Sequence, residues 1–120
     1  MNIKVLWVPF DDGASFGKEQ HAVLVSAFEL VRAHLEKGEN VLIHCRAGVS
    51  RSAALTMSYL YWSGAENSFD RAFDLVKAAH PAALPHYLVL FSFKELLGLK
   101  FDREAYIEFW LKETEKRKLL

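Results

Sequence analysis

The sequence predicts an α/β fold in which a small parallel sheet forms the core and helices pack around it. Three features of the chain lead there. Two short apolar runs, Ile3-Lys4-Val5-Leu6-Trp7-Val8 and Asn40-Val41-Leu42-Ile43-His44, have the length of buried strands, and each runs into a loop. A stretch with apolar residues at helical spacing lies between them. Strand, helix, strand in that order is a parallel crossover unit, which brings the loops at the carboxyl ends of both strands together.

Pro9 stops the first run, because proline fixes φ and has no N–H for a ladder. Phe10-Asp11-Asp12-Gly13-Ala14-Ser15 is a loop by composition. From Phe16 to Lys37, the residues Leu24, Ala27, Phe28, Val31 and Leu35 fall on one helical face, and Gly38 ends the helix. The second strand leads into Cys45. The helix from Ser52 to Ser63 is small or apolar nearly all round, which predicts a buried central position, and Gly64 ends it. Ser68 is suited to cap the next helix, whose apolar face is Phe69, Ala72, Phe73, Val76 and Ala79 and which His80-Pro81 stops. Pro85 to Leu97 reads as a further helix, hydrophobic on most sides and ended by Gly98. Asp102 caps a last one, with Tyr106, Phe109 and Trp110 able to pack inward and a frayed, charged end from Lys112 to Lys118. The aromatic residues Trp7, Tyr59, Tyr61, Trp62, Phe73, Phe91 and Phe93 read as core rather than as a binding box.

Composition bounds the function. A chain of 120 residues, 52% hydrophobic and with zero formal net charge, fits one small soluble domain. Zero net charge argues against broad binding to nucleic acid or to an anionic membrane, either of which calls for excess lysine and arginine. The one cysteine excludes an internal disulfide and suits a reducing compartment. The apolar run before Pro9 is too short to span a membrane, so cytoplasmic is the default location. His21, His34, His80 and His86 show no metal-ligand spacing with each other or with Cys45, and no metal or other cofactor is expected.

The chemistry concentrates in Val41-Leu42-Ile43-His44-Cys45-Arg46-Ala47-Gly48-Val49-Ser50-Arg51-Ser52. A strand–loop–helix turn aims backbone N–H groups and a helix N-terminus at one point, which makes an anion site. A cysteine at the mouth of such a loop ionises more readily than a free thiol. Arg51 can grip two phosphate oxygens with its planar fork, and the Ser52 hydroxyl is placed to hydrogen-bond a thiolate and help it leave. Gly48 allows backbone geometry that a side chain would obstruct.

His44-Cys45-Arg46-Ala47-Gly48-Val49-Ser50-Arg51-Ser52 resembles the active-site loop of the protein tyrosine phosphatase superfamily, and the Ala-Gly-x-Ser-Arg-Ser form is most similar to its dual-specificity branch. Val8-Pro9-Phe10-Asp11-Asp12 is similar to that family's strand and general-acid loop. Ala78-Ala79-His80-Pro81 through Pro85 resembles its proline-bracketed turn, with His86 where these enzymes often have asparagine. The family usually carries a further strand, helix and strand before the segment matching residues 3–8, so the resemblance implies a shortened, N-terminally truncated phosphatase fold. A minimal enzyme, a fragment, and a homodimer that completes the sheet all fit that implication.

The resemblance implies phosphomonoester hydrolysis through a cysteinyl-phosphate on Cys45. Arg46, Ala47, Gly48, Val49, Ser50 and Arg51 cradle the phosphate, Ser52 assists the departing thiolate, and His44 supports the loop. Asp12 is the general acid, with Asp11 as runner-up; each is also compatible with an ordinary turn aspartate. A phosphorylated protein is the first expected substrate. A phosphoinositide, phosphorylated glucan or RNA 5′ end is the enzymatic alternative, and a phosphate-binding module without turnover the non-enzymatic one. Residues 1–100 are expected to form the phosphatase-like unit, and 101–120 an extra helix on it.

Overall fold

Residues 15–46 and 49–118 are described in the structure, a computed structural model. Five helices follow one another: α1 (Lys18–Glu36), α2 (Arg51–Trp62), α3 (Phe69–Ala79), α4 (Tyr87–Leu97) and α5 (Arg103–Lys118). Their ends follow from local chemistry. Ser68 Oγ accepts from Arg71 N at 3.2 Å and caps α3, while Asp102 Oδ1 accepts from Glu104 N at 2.9 Å and Ala105 N at 3.2 Å and caps α5. The connection after α1 turns at Gly38 and α4 ends on Gly98, with φ of 78° and 65°, a region that L side chains rarely enter. The helix α5 runs through its charged end to Lys118.

The expected parallel sheet is corrected here. Among the described residues the chain is all helical, and residues 40–45 carry no regular secondary structure. Leu42 is 84% exposed, and Val41 and Ile43 are only half-buried. A strand is stable only when a neighbour takes its backbone N–H and C=O groups. Residues 41–43 have the composition of a strand without a ladder among the described residues. The other expected strand, 3–8, lies outside them, as does the Asp11-Asp12 loop.

α2 and α4 form the centre. One cluster joins Leu24 and Phe28 of α1, Ala54 and Tyr59 of α2, and Val89 and Phe93 of α4. A second, on the other side of the same two helices, joins Ala53 and Met57, Phe69 of α3, Ala83, Leu90 of α4 and Leu99. The small residues of α2 allow this double packing: Ala53 and Ala54 are adjacent in sequence and face opposite clusters. Ser92, buried in α4, ties the chain before α1 to this core by accepting from Phe16 N at 3.1 Å. α5 has no fully buried residue and rests on α3 and α4 through aromatic contacts, Tyr106 and Phe109 each meeting Phe73 at 6.2 Å.

Phe93 is fully buried and meets Phe16 edge-on at 5.1 Å. Phe93→Ala is expected to cost about 3–5 kcal/mol and Ser68→Ala about 1 kcal/mol, read from urea unfolding followed by circular dichroism.

Candidate active site

The site is built at the N-terminus of α2. Arg51 is the first residue of that helix and Ser52 the second, so both side chains start where the backbone N–H groups have no intrahelical acceptor. The first turn carries no acidic residue, which leaves the positive end of the helix dipole uncompensated from within α2. Cys45 is half-buried, and its Sγ lies 3.3 Å from Ser52 Oγ, within hydrogen-bonding distance for sulfur. A thiol would donate across that gap; a thiolate would accept from the hydroxyl.

Ser52 itself is 8% exposed and its backbone carbonyl accepts from Thr56 Oγ1 at 2.7 Å. Ser50, the N-cap residue, is equally buried, but its side chain gives no cap to α2. Its Oγ instead accepts from His86 N at 2.9 Å, and the neighbouring Val49 O accepts from Leu84 N at 2.7 Å. The end of the loop is thereby bonded to the turn that precedes α4. Lys77 holds the same turn from α3, donating to Pro81 O at 3.0 Å and Ala83 O at 2.7 Å. Burial and then the Arg117 guanidinium lower the Lys77 pKa from the usual lysine value, with Glu113 opposing them.

Of the residues singled out from sequence, the structure places Cys45 Sγ against Ser52 Oγ, while Val49, Ser50 and Arg51 lead into the start of the same helix. His44 and Arg46 are both exposed, His44 not at the end of a buried strand as expected. Ala47, Gly48, Asp11 and Asp12 lie outside the described residues. Among the described residues no three His, Cys, Asp or Glu side chains converge as a metal site.

Sequence reasoning missed that the turn at residues 84–86 bonds to the loop. In the sequence His86 stands out only as a departure from the asparagine common at this point in the family. It begins a helix, its Nδ1 accepting from Leu88 N at 3.1 Å to cap α4, but its backbone N–H also fixes Ser50. The proline-bracketed composition from Pro81 to Pro85 was the only signal, and it marks a turn without saying what the turn holds.

A family model described as dual specificity phosphatase, catalytic domain, matches residues 1–96. The chain is 33% identical over 84 residues to the protein named "Putative tyrosine phosphatase 123R" of Invertebrate iridescent virus 6, covering 70% of this chain and 57% of that protein. It is 31% identical over 81 residues to Dual specificity protein phosphatase 5 of Homo sapiens, covering 68% of this chain and 20% of the relative. With MAP kinase phosphatase with leucine-rich repeats protein 2 of Dictyostelium discoideum it shares 33% identity over 103 residues, 86% of this chain and 14% of the relative. The chain therefore spans less than two thirds of the length of each of these relatives. No solved structure gives a significant match. The family match takes in the loop after Cys45, the helix it leads into and the turn that holds it, reaching the last turn of α4, and on that ground the chain belongs to the dual specificity phosphatase catalytic-domain family.

Proposed function

We propose that the chain is a cysteine-dependent phosphatase of phosphorylated proteins, working through a cysteinyl-phosphate, with residues 1–100 as the catalytic unit and 101–120 as an added helix. The observation that carries this reading is the 3.3 Å approach of Cys45 Sγ to Ser52 Oγ at the N-terminus of α2, whose first residue is Arg51. A helix N-terminus and a guanidinium favour both a thiolate and a phosphate dianion at one point. The protein substrate is supported by the relatives, which are named as tyrosine, dual specificity protein and MAP kinase phosphatases.

In the first step the Cys45 thiolate attacks phosphorus, an S–P bond forms, and the P–O bond to the leaving group breaks. Arg51 and the loop N–H groups hold the equatorial oxygens as charge shifts onto them. A carboxylic acid, Asp12 or else Asp11, gives its proton to the departing oxygen. In the second step the resulting carboxylate takes a proton from water, the water oxygen bonds to phosphorus, and the S–P bond breaks. The electron pair returns to Cys45, where the Ser52 hydroxyl donates to the thiolate. His44 and Arg46 border this loop and, being exposed, are available to the substrate side. Such a nucleophile works only as a free thiol, which supports a reducing, cytoplasmic location. No helix of the described residues is long and apolar enough to cross a membrane.

Hydrolysis of an aryl phosphate by the wild-type chain, lost in Cys45→Ser and reduced roughly 10²–10³-fold in Arg51→Ala, is the expected result. A wild-type chain without turnover between mildly acidic and neutral pH overturns the reading. Ser52→Ala should slow the second step selectively, so that rapid-mixing experiments show a burst of phenolate close to one equivalent per enzyme before a slow steady state. The general acid must be protonated to act, so its activity falls as pH rises through its pKa. Asp12→Asn should therefore flatten the alkaline limb of the pH–rate profile, and flattening only in Asp11→Asn reassigns the acid to Asp11.

A further inference from the structure

α5 begins at Arg103, beyond the residues that the family match covers, yet it reaches the turn that holds the loop. Tyr106 Oη donates to Pro85 O at 2.7 Å. One turn further along α5, the Trp110 ring meets the His86 ring edge-on at 4.9 Å and the Tyr87 ring at 5.2 Å. On its other side the same turn bonds to the loop, Leu84 N to Val49 O and His86 N to Ser50 Oγ. Three consecutive residues, 84–86, thus stand between α5 and the last two residues of the loop.

We propose that α5 is a brace for the anion-binding loop, with Tyr106 and Trp110 as positioning residues that act through Pro85 and His86. The proposal rests on the phosphatase reading of the Cys45 loop and adds an element to it. Its physical basis is the use made of Ser50. An N-cap serine ordinarily spends its oxygen on its own helix, whereas Ser50 accepts from His86 and gives α2 no side-chain cap. Ser50 Oγ is thereby tied to the turn at residues 84–86 and not to the first turn of α2. The chain just before these residues is held by Lys77 from α3, through Pro81 O and Ala83 O, and residues 85 and 86 themselves meet Tyr106 and Trp110 of α5. Burial raises the Tyr106 phenol far above its ordinary pKa, so the proton it donates to Pro85 O is retained across the working range. The His86 ring is fixed from two directions, by its cap to Leu88 N and by the Tyr87 and Trp110 rings.

The test uses the full chain and a readout that needs no turnover: the rate at which iodoacetamide alkylates Cys45, the one cysteine, as inorganic phosphate is added. Phosphate should protect the wild-type thiol. Tyr106→Phe, which deletes one oxygen, and Trp110→Ala should each raise the half-protecting phosphate concentration roughly fivefold, the weight of one net hydrogen bond. Trp110→Phe, which keeps an aromatic face toward His86, should restore most of the loss. Phe28→Leu, in the cluster around α1, should lower the melting temperature and leave protection unchanged when all proteins are assayed well below melting. Unchanged protection in Tyr106→Phe and Trp110→Ala overturns the brace, and so does an equal loss in Phe28→Leu. Should Trp110→Ala fail to fold, Tyr106→Phe decides. A wild type that phosphate protects but that hydrolyses no aryl phosphate overturns the catalytic reading and leaves the brace standing; a wild type that phosphate does not protect overturns both.

Discussion

Among the described residues, hydrogen bonds from Leu84 N–H to Val49 O and from His86 N–H to Ser50 Oγ hold the end of the loop after Cys45. Each is worth only about 1 kcal/mol net, yet together they fix where the chain enters α2. Charge stabilisation by fixed donors depends on their being in place before the charge develops, so geometry at this point matters more than its share of stability. The core provides a rigid backing for it. α2 and α4 are packed against each other through two clusters, and a close-packed interior passes small displacements on rather than absorbing them.

The helices were legible because their ends are written in local chemistry. Ser68 and Asp102 supply side-chain acceptors, and Gly38 and Gly98 adopt backbone angles that other residues avoid. The burial of α2 was legible from its small and apolar residues. The sheet was not, because a strand is a relation between two segments and an apolar run describes only one. Val41-Leu42-Ile43 says that burial would be favourable; it does not supply a neighbour, and Leu42 ends up exposed. Placing the Asp11-Asp12 loop beside Cys45 by a parallel crossover depended on that sheet, so the geometric support for it falls with the sheet.

The site divides along the same line. Cys45, Arg51 and Ser52 lie within one short stretch, so their side-chain identities and spacing could be read directly. The bonds that tie the neighbouring Val49 and Ser50 to the turn before α4 come from main-chain N–H groups of residues 84 and 86, and a backbone N–H leaves no trace in composition, since every residue but proline has one. His86 could be noticed only as a departure from asparagine. Either side chain offers an acceptor close to the backbone, and that is enough to cap α4. The imidazole adds a flat face, and Tyr87 and Trp110 use it.

That added face gives α5 a purpose that its own packing does not. Its first turn is capped by Asp102, but it buries no residue completely, and among the described residues it rests on the others through half-buried rings, the Arg103 guanidinium over the Phe91 ring and the hydrogen bond from Tyr106. An element attached in this way opens locally at lower free energy than one packed on two sides, such as α2. The contacts at risk when it opens are those to Pro85 and His86, which are next to the residues that hold Val49 and Ser50. The least buried helix of the fold is therefore connected, through three residues, to the part of the chain whose placement the chemistry most requires.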